Sequence, residues 1–269
     1  MDKKPSNALL WGCSAVAVIV VAVSWGVTVL ANPRGLHAAS RAGDVARIRE
    51  LLRSGADPDQ EQRLLFDKTS LKYTPLIWAL RGGSAAAVEA LVVGGADVNK
   101  PVGHRPPLAW ALEEGSDGVV AALMQQPAID IHVVNSAGQN ALYFAISHCR
   151  DAAASELVRR NVDFRRADDF GVTCIELACG AVGTRGSEVA LDAMLDCGLS
   201  GDELVGARFK DGTTVLMFAC RYCGLNTVQK AVQSSRNVDA VDASGRSAAD
   251  YSRERSDGQA AEILSMFRK

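Results

Sequence analysis

Two kinds of apolar pattern run along the chain, and the change from one to the other falls near residue 32. From Ala8 to Ala31 lies a 24-residue stretch, ALLWGCSAVAVIVVAVSWGVTVLA, without a charged residue. As a helix it would be about 36 Å long at about 1.5 Å per residue, more than the roughly 30 Å of a bilayer's hydrocarbon core. Beyond it the apolar residues come in short clusters at helical spacing, broken by Gly with Asp, Asn or Ser. That second pattern predicts short amphipathic helices joined by tight turns, because glycine supplies left-handed backbone and Asx side chains bond to nearby amides.

The first pattern predicts one membrane-spanning helix over residues 8–31 behind a short tail, residues 1–7. Trp11 and Trp25 lie toward its ends, where amphipathic rings favour the interface. Asn32-Pro33-Arg34 ends it, since proline cannot continue a regular helix. Val29-Leu30-Ala31 carries small residues where a signal peptidase reads, so cleavage before Asn32 is the alternative. The run exceeds the about 7–15 residues of a usual signal core, which favours a retained signal anchor. Lys3 and Lys4 on a short tail favour a single pass through the inner membrane with the bulk of the chain extracytoplasmic. Arg34, Arg41 and Arg47 follow closely and keep a cytoplasmic-facing domain as the runner-up.

The second pattern repeats. Thr74-Pro75-Leu76-Ile77-Trp78-Ala79 leads to Gly83, Val88, Leu91-Val92 and Gly95-Ala96-Asp97. Leu36-His37-Ala38-Ala39 leads in the same order to Gly43, Ile48, Leu51-Leu52 and Gly55-Ala56-Asp57. With the leucine after Pro75 as marker, the series is Leu36, Leu76, Leu108, Leu142, Ile175, Leu216 and Ala249, spaced 40, 32, 34, 33, 41 and 33. Three residues after the markers stand Ala39, Ala79, Ala111, Ala145, Ala178, Ala219 and Ser252, small enough for helices to approach closely. Two after them come Trp78, Trp110, Phe144, Leu177 and Phe218, a core stripe. Asn135 to Gly138, Asp168 to Gly171, Lys210 to Gly212 and Asp242 to Gly245 mark hairpin turns.

These units resemble ankyrin repeats, whose period is about 33 residues. The resemblance covers residues 34–269 and implies an all-α ankyrin-repeat solenoid of about seven units. Three departures stand out: an insertion from Gln60 to Lys72, an enlarged loop around Gly183 to Gly186, and a lengthened exit from Leu199 to Arg208. The last unit is polar through Ser252, Arg253, Glu254 and Arg255, as a terminal cap would be. Alanine-rich repeats behind an N-terminal anchor give the chain a bacterial look.

Composition removes several functions. Lys+Arg number 29 against 31 Asp+Glu, for a net charge of −2 and a pI near 6.1, whereas a nucleic-acid surface is usually strongly basic. The sequence has no G-x-S-x-G elbow, P-loop, dinucleotide fingerprint or HExxH, and its four histidines are scattered. His37 takes the repeat's structural position. No enzyme activity, cofactor, metal or small-molecule substrate is therefore expected. Cys220-Arg221-Tyr222-Cys223 is the one CxxC, and a thiol-redox or metal role for it is the weaker alternative to a pair of core thiols. Cys149, Cys174, Cys179, Cys197, Cys220 and Cys223 all lie in the later half, and whether any of them bridge stays open.

What the resemblance implies is a protein partner, bound through hairpin tips and the positions five and six after each marker. The residues singled out are Arg41, Arg81, Glu113, Arg221 and Tyr222 on the helices, with Tyr73, Arg105 and Phe170 at the tips. Arginine and aromatic side chains dominate binding hot spots, so Arg81, Arg221, Phe170 and Tyr222 rank first. Arg159, Arg160, Arg165 and Arg166 are expected to solvate a finger. The expectation is a membrane-tethered binding module. Neutralising a toxic secreted enzyme or supporting envelope stress defence are the alternative roles.

Overall fold

The computed structural model describes residues 35–63, 71–180, 186–205 and 211–267. The apolar run 8–31 lies outside them, as do residues 64–70 of the insertion, 181–185 of the enlarged loop and 206–208 of the lengthened exit. Among the described residues no helix is long and apolar enough to cross a membrane. The chain divides into two compact units, Met1–Asp97 and Val98–Lys269.

In the first unit α1 (Leu36–Ala42) and α2 (Val45–Arg53) form one helix pair. The insertion then folds back as β1 (Gln62–Arg63) and β2 (Lys72–Tyr73), antiparallel with Gln62 opposite Tyr73. A second pair, α3 (Pro75–Gly82) and α4 (Ala85–Val93), completes the unit, with α1 packed on α3 and α2 on α4. The reason α3 starts where it does is local. Thr74 accepts from the Ile77 N–H at 3.4 Å, and Pro75 sits where a missing N–H costs nothing. Gly43 and Gly83 close α1 and α3 in left-handed conformation. Gly82 is needed for packing instead: a Cβ there would stand 2.3 Å from the Arg41 carbonyl oxygen.

The second unit contains five further pairs among the described residues. They are α5 (Pro107–Glu114) with α6 (Asp117–Met124), α7 (Ala141–Ser147) with α8 (Asp151–Arg159), and α9 (Cys174–Ala178) with α10 (Glu188–Asp196). Next come α11 (Val215–Tyr222) with α12 (Leu225–Ser234), and α13 (Ala248–Arg253) with α14 (Ala260–Met266). First helices pack on first helices, α5 on α7 and α7 on α9, while α8 packs on α10 and α10 on α12. Asn140, Thr173, Thr214 and Ser247 cap the first helices through their side chains. Three of the predicted turns are present, with bridges from Val134 to Asn140, Ala167 to Thr173 and Val241 to Ser247, while Lys210 of the fourth lies outside the described residues.

The alanine ladder is the core. Ala39, Ala79, Ala111, Ala145, Ala178 and Ala219 are all buried, and Ser252 continues the series fully buried, its hydroxyl on the Ala249 carbonyl. That corrects the reading of Ser252 as part of a polar cap. Arg255 also turns inward: its side chain is 6% exposed and donates to the carbonyls of Cys220 and Cys223. The terminal pair thus satisfies open carbonyls at the end of α11.

Candidate functional site

All but Phe170 of the residues singled out from sequence gather into three places, each built on an aromatic ring. Helix geometry explains the first: residues three apart share a face, so Arg81 in α3 lies beside Trp78. The Arg81 guanidinium is 5.7 Å from the Trp78 ring centre and 5.6 Å from that of Tyr73. Arg41, on α1, lies 5.2 Å from the Trp78 ring. Both arginines are exposed, whereas Trp78 is buried between the helices. Tyr73, expected at an open hairpin tip, is 4% exposed and tilts against Trp78 at 5.7 Å. Its ring supports the guanidinium and does not itself reach outward. The cluster presents two cations on a fixed aromatic base.

The second place lies at the start of the other unit. Arg105 stands 4.5 Å over Trp110 and pairs with Glu113 at 2.6 Å, so the predicted basic tip and the predicted acidic helix position neutralise each other. The third is at α11. Arg221 reaches Glu254 at 2.8 Å and lies 5.2 Å from the Tyr222 ring and 5.8 Å from that of Tyr251. Tyr222 is 61% exposed and packs on Phe218 at 4.9 Å. Phe170 stands apart from these groups, 67% exposed on a turn fixed by Asp168, which accepts from the N–H groups of Phe170 and Val172.

The rings under these arginines were legible only as core. Trp78 and Trp110 were read as a stripe between helices, and Tyr251 was not singled out. The available signal is the three-residue spacing of Trp78 to Arg81. In the expected solvated cluster, Arg160 donates to the Met124 carbonyl at 2.9 Å. Arg165 binds Glu203 at 2.8 and 2.9 Å and the Gly198 carbonyl at 2.9 Å. Two of those four arginines therefore tie successive pairs together.

The thiols have the opposite character to a redox centre. All six described cysteines are free, and Cys220 and Cys223 are buried. Burial pushes both thiols up to about 12; Glu188 adds to the rise at Cys223, while Arg255 works against it at each. A reactive pair needs the reverse, a thiol drawn down by positive surroundings. Among the described residues no cluster of three or more His, Cys, Asp or Glu could hold a metal ion.

Comparison with known proteins agrees with this architecture. Residues 36–135 match the family model for ankyrin repeats in three copies. The crystal structure of the ankyrin-repeat domain of Bcl-3, a member of the IkappaB protein family, is similar with a TM-score of 0.60 at 20% identity, covering 87% of this chain and 97% of that one. The human ASB11 ankyrin-repeat domain is similar with a TM-score of 0.54 at 22% identity, over 86% of this chain and 96% of that one. No curated protein sequence matches the chain significantly.

Proposed function

We propose that this chain, an ankyrin-repeat protein, is a non-catalytic module that holds a protein partner close to a membrane. The observation that carries the reading is the Arg41–Trp78–Arg81 stack, two exposed guanidinium groups fixed on a buried ring. Arginine over an aromatic base is already ordered, so less side-chain freedom is lost when a partner docks. In the second unit Arg221, ion-paired with Glu254, lies beside the exposed Tyr222 ring and offers an arginine–aromatic pair of a different build. Membrane tethering is supported by the uncharged run from Ala8 to Ala31, and Lys3 and Lys4 support an extracytoplasmic repeat domain at the inner membrane. A tether raises the effective concentration of the module for partners at that surface.

In-cell crosslinking with partner identification tests the binding, and a C-terminal reporter active only outside the cytoplasm tests the orientation. A specific protein adduct that is lost on Arg41→Glu/Arg81→Glu is expected. Recovery of no stable protein partner sinks the binding reading.

A further inference from the structure

A groove lies on the second helices of the larger unit, away from the hairpins and first helices considered above. Where α8 closes on α10, α6 and α8 part around a groove of about 480 Å³. Its walls are short apolar side chains, Val120, Ala121 and Met124 from α6 facing Ala152 and Ala153 from α8. Small residues on both sides leave space that larger ones would fill.

Two arginines span the gap: Arg150 is held by three bonds within the protein, and Arg160 by one. The Arg150 guanidinium bonds to the Leu112 carbonyl at 3.2 Å, the Gly115 carbonyl at 2.5 Å and Asp117 at 2.7 Å. Arg160 donates to the Met124 carbonyl at the other end. Asp117 is thereby spent on Arg150. Glu156, exposed on the groove's rim, makes no ion pair among the described residues. The site therefore offers an apolar floor with an available carboxylate beside it.

We infer that this groove takes an amphipathic helix from a partner protein, one that lays aliphatic side chains on the floor and a lysine or arginine on Glu156. Length and charge both select that occupant. The eight residues of α6 make a wall about 12 Å long at about 1.5 Å per residue, two helical turns, which matches anchors at i, i+3 or i+4, and i+7. Asp151 and Glu156 outweigh Arg160 among the lining charges that make no ion pair within the described residues, which selects a basic flank over an acidic one.

Cys149 lines the same groove and is exposed, so its alkylation reports on occupancy. Cys197, the other exposed thiol among the described residues, lies outside it and serves as the control in the same molecule. The experiment treats the full chain with a maleimide in the presence of a 14-residue helical peptide of leucine and lysine, and follows both thiols by mass spectrometry. At about ten times its Kd the peptide should slow Cys149 by about tenfold and leave Cys197 unchanged. Replacing every lysine of the peptide by glutamate should remove the protection. Ala121→Trp, a substitution at an exposed position that fills the groove, should abolish it, and Glu156→Lys should weaken binding about fivefold. Protection absent, shared by Cys197, retained by the acidic peptide, or undiminished in either variant overturns the proposal.

Discussion

The hairpin leading into α3 and the one leading into α13 serve the same place in their repeats, and each brings a tyrosine and an arginine together. They are held by opposite means. In the first, Tyr73 packs at a tilt against Trp78 and the cations lie beside their rings. In the second, the inaccessible carboxylate of Asp242 accepts from the N–H groups of Ser244 and Arg246, from the Arg246 side chain and from the Tyr251 hydroxyl. Arg246 then covers the Tyr251 ring at 4.5 Å. One end of the chain is fixed by apolar area and the other by a buried charge, so they should fail under different stresses.

The largest break in that comparison comes from removing the ring. Trp78→Ala takes out the surface on which Tyr73, Arg41 and Arg81 rest. A cost of about 4 kcal/mol is expected, the range for large aromatic residues cut back to alanine in a core. Urea unfolding followed by amide hydrogen exchange would locate the loss in α1 to α4, while amides around Asp242 keep their protection. Equal loss at both ends would show that the two hairpins are not separately held.

Asp242→Ala is the counterpart, with about 3 kcal/mol expected because several donors lose a charged acceptor at once. Its pH dependence has a definite sign. Burial alone would raise the Asp242 carboxyl, but the bonds from Arg246, Tyr251 and Ser244 outweigh it and hold the group at about 2. Unfolded aspartate titrates near 3.9, so this stabilisation is complete above about pH 4 and drains away as the pH falls through about 2. The first unit carries a different titration. His37 donates its Nε2–H to the Gln60 carbonyl at 2.7 Å, and burial lowers its pKa despite that bond and one to the Tyr73 backbone. A histidine kept neutral in the folded state weakens the fold as pH drops below about 6.5. Exchange measured against pH should show α1 loosening first and the Asp242 hairpin only in strong acid; the reverse order would overturn the assignment.

Arg255→Met should cost about 2 kcal/mol, since it leaves two inward carbonyls without their donor. The same change should speed maleimide labelling of Cys220 and Cys223 without affecting Cys174, which is buried elsewhere in the unit. Unaltered labelling would mean that the terminal pair does not shield those thiols.

How far these features were legible follows from their range. Helix starts at Thr74 and Ser247, and turns at Asp168 and Asp242, are set by bonds spanning two to four residues, so the sequence pattern carried them. The alanine ladder was legible for a related reason, because the same contact recurs once per unit. Tyr73 was expected at an open tip, and its burial comes from Trp78 and Arg81, which nothing in its own turn announces. Arg255 looked like solvated polarity in a cap because its acceptors lie 35 and 32 residues earlier. Arg150 escaped notice for the same cause, since its partners belong to the preceding pair. Long arginines reach across a repeat boundary, and a pattern read within one repeat does not show where they end.

The smallest effect sharpens the comparison most. Arg41→Gln leaves a shorter, still polar side chain at an exposed position and removes the cation over Trp78. Its cost to stability should be about 0.5–1 kcal/mol, the scale of a cation–π contact at a solvent-facing site, and should not change between pH 7 and pH 3. Partner capture should fall by more than that stability change can explain, because the guanidinium is the part of the stack that faces outward. If stability falls by several kcal/mol and capture follows only as folding is lost, the arginine belongs to the core of the first unit. If stability barely moves and capture falls, the stack in the first unit is a binding surface, whereas the buried carboxylate of the second is a structural fastening.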